Sequence, residues 1–213
     1  MLERSSQRAS LAMHNQMSTS TALMTAEELM KLPTGEGLRY ELINGELITM
    51  PASGLPHGRV TMRLSAPLAQ FIWDHGLGET FAAESGFKLT SNPDTVMAPD
   101  FSFITKEHAD VLGEQPGFLP GSPDLVVEVL SPDDRPSKVK QKTSRWLEHG
   151  AKQVWLVEPK KSTVTIYRSP SDSITFSGSD ELQADDILPG FRLSLDRIFG
   201  PTPGTTNVPG TTK

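Results

Sequence analysis

The chain of 213 residues contains no cysteine. That absence excludes a disulfide framework, a thiolate metal site and a thiol nucleophile, and several enzyme classes with them. Missing too is any apolar run near the ~20 residues a membrane-spanning helix needs, and the first residues lack the apolar stretch of a signal peptide. The expectation is a cytoplasmic protein with no membrane partner. There is no overall basic excess either: the formal net charge of -6 argues against a protein that coats nucleic acid indiscriminately.

What charge there is lies unevenly. From Arg135 to Arg168 nine Lys and Arg stand against two Glu, which leaves the rest of the chain strongly acidic. Such a segment gives one basic face on an acidic body, or simply a solvated helix and hairpin. The length suits one domain with a real core. Residues 1–21 are polar and aperiodic and read as a disordered leader, 22–200 as the domain, and 201–213, rich in Gly, Pro and Thr, as a flexible tail.

Local patterns place the elements. Thr25 with Glu28 forms a capping box that opens a short helix ending before Pro33. Two alternating runs in RYELINGELITM flank Asn44-Gly45, the signature of a type I′ hairpin. Val60, Leu64, Leu68, Phe71 and Ile72 recur at helical spacing between His57 and His75, with Pro67 expected to kink the helix or shift its start. ETFAAESGFKL reads as one strand with a glycine bulge or bend, and VMAPDFSFIT as another with Asp100, Ser102 and Ile104 on one face. Asp124 to Leu130 is apolar on both faces except at Glu128, the pattern of a central strand covered on both sides. A helix from about Ser137 is ended by Gly150. QVWLVE and STVTIYR follow as strands, the second near an edge, and LPGFRLSLDRIF reads as a turn and a short helical piece. The sum is a mixed α/β fold of the α+β kind, a central mixed sheet flanked by helices with an N-terminal β-hairpin.

Glu128 is the residue that demands an explanation. An unpaired charge in an apolar strand costs several kcal/mol, roughly, so a cation or a metal should match it. If the strands carrying Asp100 and Glu128 are neighbours, their carboxylates can bind one hard divalent cation, Mg²⁺ or Mn²⁺, leaving other positions to water and phosphate. On the following helix Val139, Lys142 and Trp146 fall at spacings of three and four and share a face, so Lys142 lies on the inward side, unlike Lys138 and Lys140. A lysine there is expected to pair with the carboxylates and to assist water and phosphate in metal-aided hydrolysis.

The order Pro99-Asp100, then a strand carrying Glu128, then a lysine resembles the PD-(D/E)xK nuclease superfamily. The strings YELINGELITM, APDFSFI, PDLVVEVLSP and GAKQVWLVEP, together with His57, Lys142 and Trp146, more specifically resemble the putative restriction endonuclease family abundant in cyanobacteria and other bacteria. The resemblance implies a restriction-endonuclease-like fold, a metal-dependent phosphodiesterase site, DNA as partner and a homodimer that cuts both strands. It adds Glu41 and His57 to the site, the first as a further carboxylate and the second as a contact to metal, water or phosphate. One position departs from the superfamily pattern: its lysine stands two residues after the acid, and here that residue is Leu130. Lys142 from the next helix then supplies the missing cation.

Three functions fit these residues: a Mg²⁺-dependent DNA endonuclease, a non-catalytic nucleic-acid-binding or accessory protein on the same fold, and an interaction module in which Glu128 and Lys142 form a structural pair. The basic segment favours the first two.

Overall fold

The apolar run around Glu128 folds as the strand β8 (Leu125–Val129), buried along its whole length, and the other elements are layered about it. The structure, a computed structural model, describes residues 23–33, 37–113 and 116–200. The leader expected at 1–21 and the tail at 201–213 lie outside the described residues.

In chain order the preceding elements are α1 (Ala26–Leu29), β1 (Leu38–Ile43), β2 (Glu46–Pro51), α2 (Leu55–Asp74), β3 (Gly78–Ala82), β4 (Phe87–Thr90), β5 (Thr95–Met97), β6 (Phe101–Thr105), α3 (Lys106–Leu112) and β7 (Leu119–Pro120). After β8 come α4 (Pro136–Glu148), β9 (Gln153–Glu158), β10 (Thr163–Ser169), β11 (Asp172–Ser177), β12 (Glu181–Ala184), β13 (Leu188–Ser194) and α5 (Leu195–Phe199). A six-stranded sheet has the order β11-β10-β9-β8-β6-β3, and a five-stranded one β2-β1-β5-β4-β7. β8 runs antiparallel to β6 and parallel to β9, so the central sheet is mixed.

Both faces of β8 are covered, as its composition requires. Leu125, Val127 and Val129 join the larger core with the stripe Val60, Leu64, Leu68 and Ile72 of α2. Val126 on the opposite face meets Trp146 of α4, Phe87 of β4 and Ile104. The helix α2 runs through Pro67 and begins at Leu55, two residues before the expected start, with Pro56 in its first turn. An internal proline costs about 3 kcal/mol, whereas each buried aliphatic side chain of that stripe returns about 1.5–3 kcal/mol. Packing therefore outweighs the break.

The capping box at Thr25 and Glu28 forms as expected, and Asn44 and Gly45 both take positive φ in the hairpin turn. Two expected strands, by contrast, each divide between the sheets. ETFAAESGFKL becomes β3 in the six-stranded sheet and β4 in the five-stranded one, joined by a turn in which Glu84 has φ 73°. VMAPDFSFIT becomes β5 and β6, parted at Pro99-Asp100, so Asp100 stands before its strand rather than inside it. Pro99 has no N–H to give a ladder, and the chain uses that gap to cross from one sheet to the other. β11 lies outside β10 and takes the edge, and LPGFRLS is the strand β13 instead of a turn.

Asp124 ties the entry of β8 to three elements. Its Oδ2 accepts from the backbone N–H of Thr105 at 2.8 Å and lies 2.9 Å from Nδ1 of His108, while its Oδ1 lies 2.8 Å from Nζ of Lys152. Burial works to raise its pKa, but the bonds from Lys152, Thr105 and His108 prevail and hold it below the usual carboxylate value. Its stabilising contribution is therefore present above the unfolded-state pKa and lost as the pH falls through the lower folded-state value. Asp124→Asn should cost about 2–3 kcal/mol in urea denaturation at pH 7, with the gap to the wild type narrowing as the pH drops below about 4.

Candidate active site

The pairing of β6 with β8 puts Phe101 opposite Val127. Asp100 stands just before β6, beside the end of β8 that carries Glu128. Asp100 is locked there by the backbone: its N–H donates to the Val127 carbonyl at 3.1 Å, and its Oδ2 accepts from the Val129 N–H at 2.8 Å. The two acids thus stand side by side at one end of the β6–β8 pair.

α4 crosses the face of the sheet from which Glu128 projects. Lys142 reaches down so that Nζ lies 2.9 Å from Oε1 and 3.0 Å from Oε2 of Glu128, and 3.1 Å from Oε1 of Glu41 on β1. One turn on, the indole N–H of Trp146 donates to Oε1 of Glu128 at 2.9 Å. Glu41 also accepts from the Ala98 N–H at 3.3 Å. In the first turn of α2, Nε2 of His57 lies 3.2 Å from Oδ2 of Asp100, and Arg39 of β1 approaches Oδ1 at 3.5 Å.

All five residues singled out in the sequence, Glu41, His57, Asp100, Glu128 and Lys142, therefore line one cavity of about 170 Å³. Glu46 is exposed on β2, and Glu84 sits in the turn before β4, outside this cavity. Two further contributors are not among those five. Arg39 stands two residues before Glu41 and so on the same face of β1, a period-two signal that could have found it. The indole N–H of Trp146 has only its place on the Lys142 face to mark it.

The charges are set by burial and by each other. Burial, helped by the carboxylates of Asp100 and Glu41 and opposed by Lys142, pushes Glu128 up to about 7. Burial also works against the Lys142 ammonium, but Glu128 and Glu41 overcome it and hold the amine protonated well above its usual range. Burial would raise Asp100 as well, yet the hydrogen bond and charge of His57 and the Val129 N–H keep it low. The bond to Asp100, against the pull of burial, raises His57. The result is a small cavity in which fixed positive groups alternate with carboxylates.

Among the described residues no three His, Asp or Glu side chains form a ready-made metal cage. The carboxylates that converge are hard oxygen donors and few in number. That suits Mg²⁺, which dehydrates reluctantly and takes one or two protein carboxylates with water and substrate phosphate.

A mixed α+β core with an acid at mid-strand, a second acid at the mouth of the neighbouring strand and a lysine over both is a restriction-endonuclease-like protein. The chain belongs to the Uma2 family, described as putative restriction endonuclease, whose model matches residues 26–196. Among solved structures it is similar to a putative nuclease belonging to DUF820 from Anabaena variabilis ATCC 29413, at a TM-score of 0.68 and 24% identity, over 83% of this chain and 97% of that one. No curated protein matches it. Among the described residues no helix is long and apolar enough to cross a membrane.

Removing the shared cation should expose the cost of the carboxylates. In Lys142→Met, Glu128 and Glu41 lose their counter-charge, so the folded-state pKa of Glu128 rises further above its unfolded value. The folded state then binds a proton that the unfolded state has released, and stability falls as the pH rises across that interval. The variant should be close to wild type near pH 5 and less stable by about 2–4 kcal/mol at pH 8, measured by urea denaturation at both values.

Proposed function

We propose that the protein is a divalent-metal-dependent DNA endonuclease that hydrolyses phosphodiester bonds in the cavity framed by Asp100, Glu128 and Lys142. The observation that carries this reading is the Lys142 ammonium held between Glu128 and Glu41, with Asp100 hydrogen-bonded to the backbone of β8 on either side of Glu128. Membership of a family described as putative restriction endonuclease supports it.

Asp100 and Glu128 would hold Mg²⁺ or Mn²⁺, which when bound lowers the pKa of a water and offsets phosphate charge. The remaining work falls to the side chains. Lys142, kept protonated, orients the attacking water and stabilises charge that develops on the phosphoryl oxygens. Glu41 fixes Lys142 in place. Asp100 is held by the Val129 N–H and His57, so little reorganisation is needed when substrate arrives, and Arg39 adds positive charge on that side. The attacking water gives up a proton to solvent as its oxygen bonds to phosphorus, the phosphorus–oxygen bond to the leaving sugar breaks, and the leaving oxygen takes up a proton from solvent. A cytoplasmic location and a homodimer that cuts both strands belong to the same reading.

A second reading, a non-catalytic nucleic-acid-binding or accessory protein on this fold, draws on Leu130 in the position where the superfamily carries its lysine. Nicking of supercoiled plasmid in Mg²⁺ or Mn²⁺ against EDTA separates the two. The wild type should nick only with metal, and Asp100→Ala and Lys142→Ala should each slow it by about 10²-fold or more. Activity unchanged in both variants overturns the mechanism. DNA binding without cleavage under any metal condition moves the protein to the second reading.

A further inference from the structure

The site cavity continues on one side into a trough of about 620 Å³, and the two share Leu130, Ser131, Asp134, Val139, Thr143 and Leu156 among their walls. The outer trough runs between α4 and the turn joining β9 to β10. Lys140 lines it from the helix, and Lys160 and Lys161 from the turn. These lysines belong to the basic segment between Arg135 and Arg168, which also places Lys142 and Lys138 at the site cavity.

Two acids also line the trough: Glu158 is paired with a lysine, and Asp134, which bonds only a backbone N–H, keeps its charge against the three lysines. Oδ2 of Asp134 accepts from the Ser131 N–H at 2.7 Å, and Oε2 of Glu158 pairs with Lys161 at 3.0 Å. That pairing offsets Lys161. Lys140 has no hydrogen bond or ion pair among the described residues, and Lys160 gives Nζ only to the carbonyl of Pro132 at 3.1 Å, a neutral partner. Two ammonium groups with no carboxylate bound to them, both exposed, therefore stand on opposite walls of the way out of the cavity. The trough on the other side of the cavity, along α2 and β3, carries Arg39 and His57, both already set against Asp100, and no lysine.

We infer that the trough between α4 and the β9–β10 turn is the track for the DNA backbone leaving the cleavage site, with Lys140 and Lys160 each taking a phosphate. This rests on the nuclease reading and adds the residues that grip the strand. Neither lysine touches the reacting atoms, so both act on binding rather than chemistry.

The test is fluorescence anisotropy of labelled short duplexes of unrelated sequence, in EDTA, across a series of NaCl concentrations. The double variant Lys140→Ala with Lys160→Ala should bind all duplexes severalfold more weakly and lower the slope of log affinity against log salt by about 2, at ~0.9 for each phosphate left unneutralised. Lys140→Ala alone removes no internal hydrogen bond or ion pair, so its folding is not at issue, and it should lower the slope by about 1. Lys31→Ala and Lys106→Ala, which lie outside the trough, should leave it unchanged. In metal, the double variant should raise KM for plasmid nicking with kcat retained. Wild-type affinity and slope in both trough variants would overturn the track while plasmid nicking still stands for the site. A wild-type protein that binds no duplex, or that binds polyglutamate in place of DNA, overturns the track and the nuclease reading together.

Discussion

A carboxylate in the middle of a strand buried on both faces sets the terms for this molecule. Glu128 is 8% exposed, and leaving it unpaired there costs several kcal/mol, roughly. The structure meets that demand with a cation from one turn of α4 and an indole N–H from the next. Both groups must reach the same carboxylate, so the rotation of α4 about its axis and its position along β8 are fixed together. Trp146 is fully buried against Phe87 while it donates to Glu128. Hydrophobic packing and charge compensation thus select the same placement of the helix.

Lys142 extends this constraint across the molecule. One ammonium serves carboxylates from two different sheets, Glu128 on β8 and Glu41 on β1. The hairpin strand is thereby drawn towards the central sheet, bringing Arg39 to Asp100 from the same face. On the other side, Asp100 takes a backbone N–H from β8 and the ring of His57 from α2. The cavity is small because four elements converge on it to satisfy buried charges.

Much of this is legible in the chain, for identifiable reasons. The capping box, the Asn44-Gly45 turn and the two-sided apolar run around Glu128 are local signals, and each forms where the sequence places it. Lys142 is legible because helical spacing fixes which residues share a face. The divisions at Ala83–Gly86 and at Pro99-Asp100 are not, since a strand that ends one sheet and a strand that begins another have the same alternation as a single bent strand. What decides between them is which neighbours are available, a property of the tertiary structure. β11 escapes a reading of the sequence because all but one of its residues are exposed, so no apolar alternation marks it. Arg39 escapes it because arginine on a hairpin strand looks solvated until a buried acid from elsewhere in the chain approaches it.

Leu130 looks at first like the weak point of the likeness to the superfamily, where a lysine occupies that position. Residues two apart on a strand project from the same face, so a lysine at 130 would enter the space above Glu128 from the sheet. α4 overlies that same face, and Lys142 enters the same space from above. Electrostatic stabilisation depends on where the charge stands relative to the phosphate and the acids, and not on which element carries it. Leu130 itself lines the cavity, where an apolar side chain limits water around the ammonium and strengthens its field on both carboxylates. Moving the lysine to the helix also has a structural consequence that a strand lysine would lack. The charge that the proposed chemistry needs is the same charge that holds α4 on the sheet, so any change that loosens the helix also displaces the cation from the site.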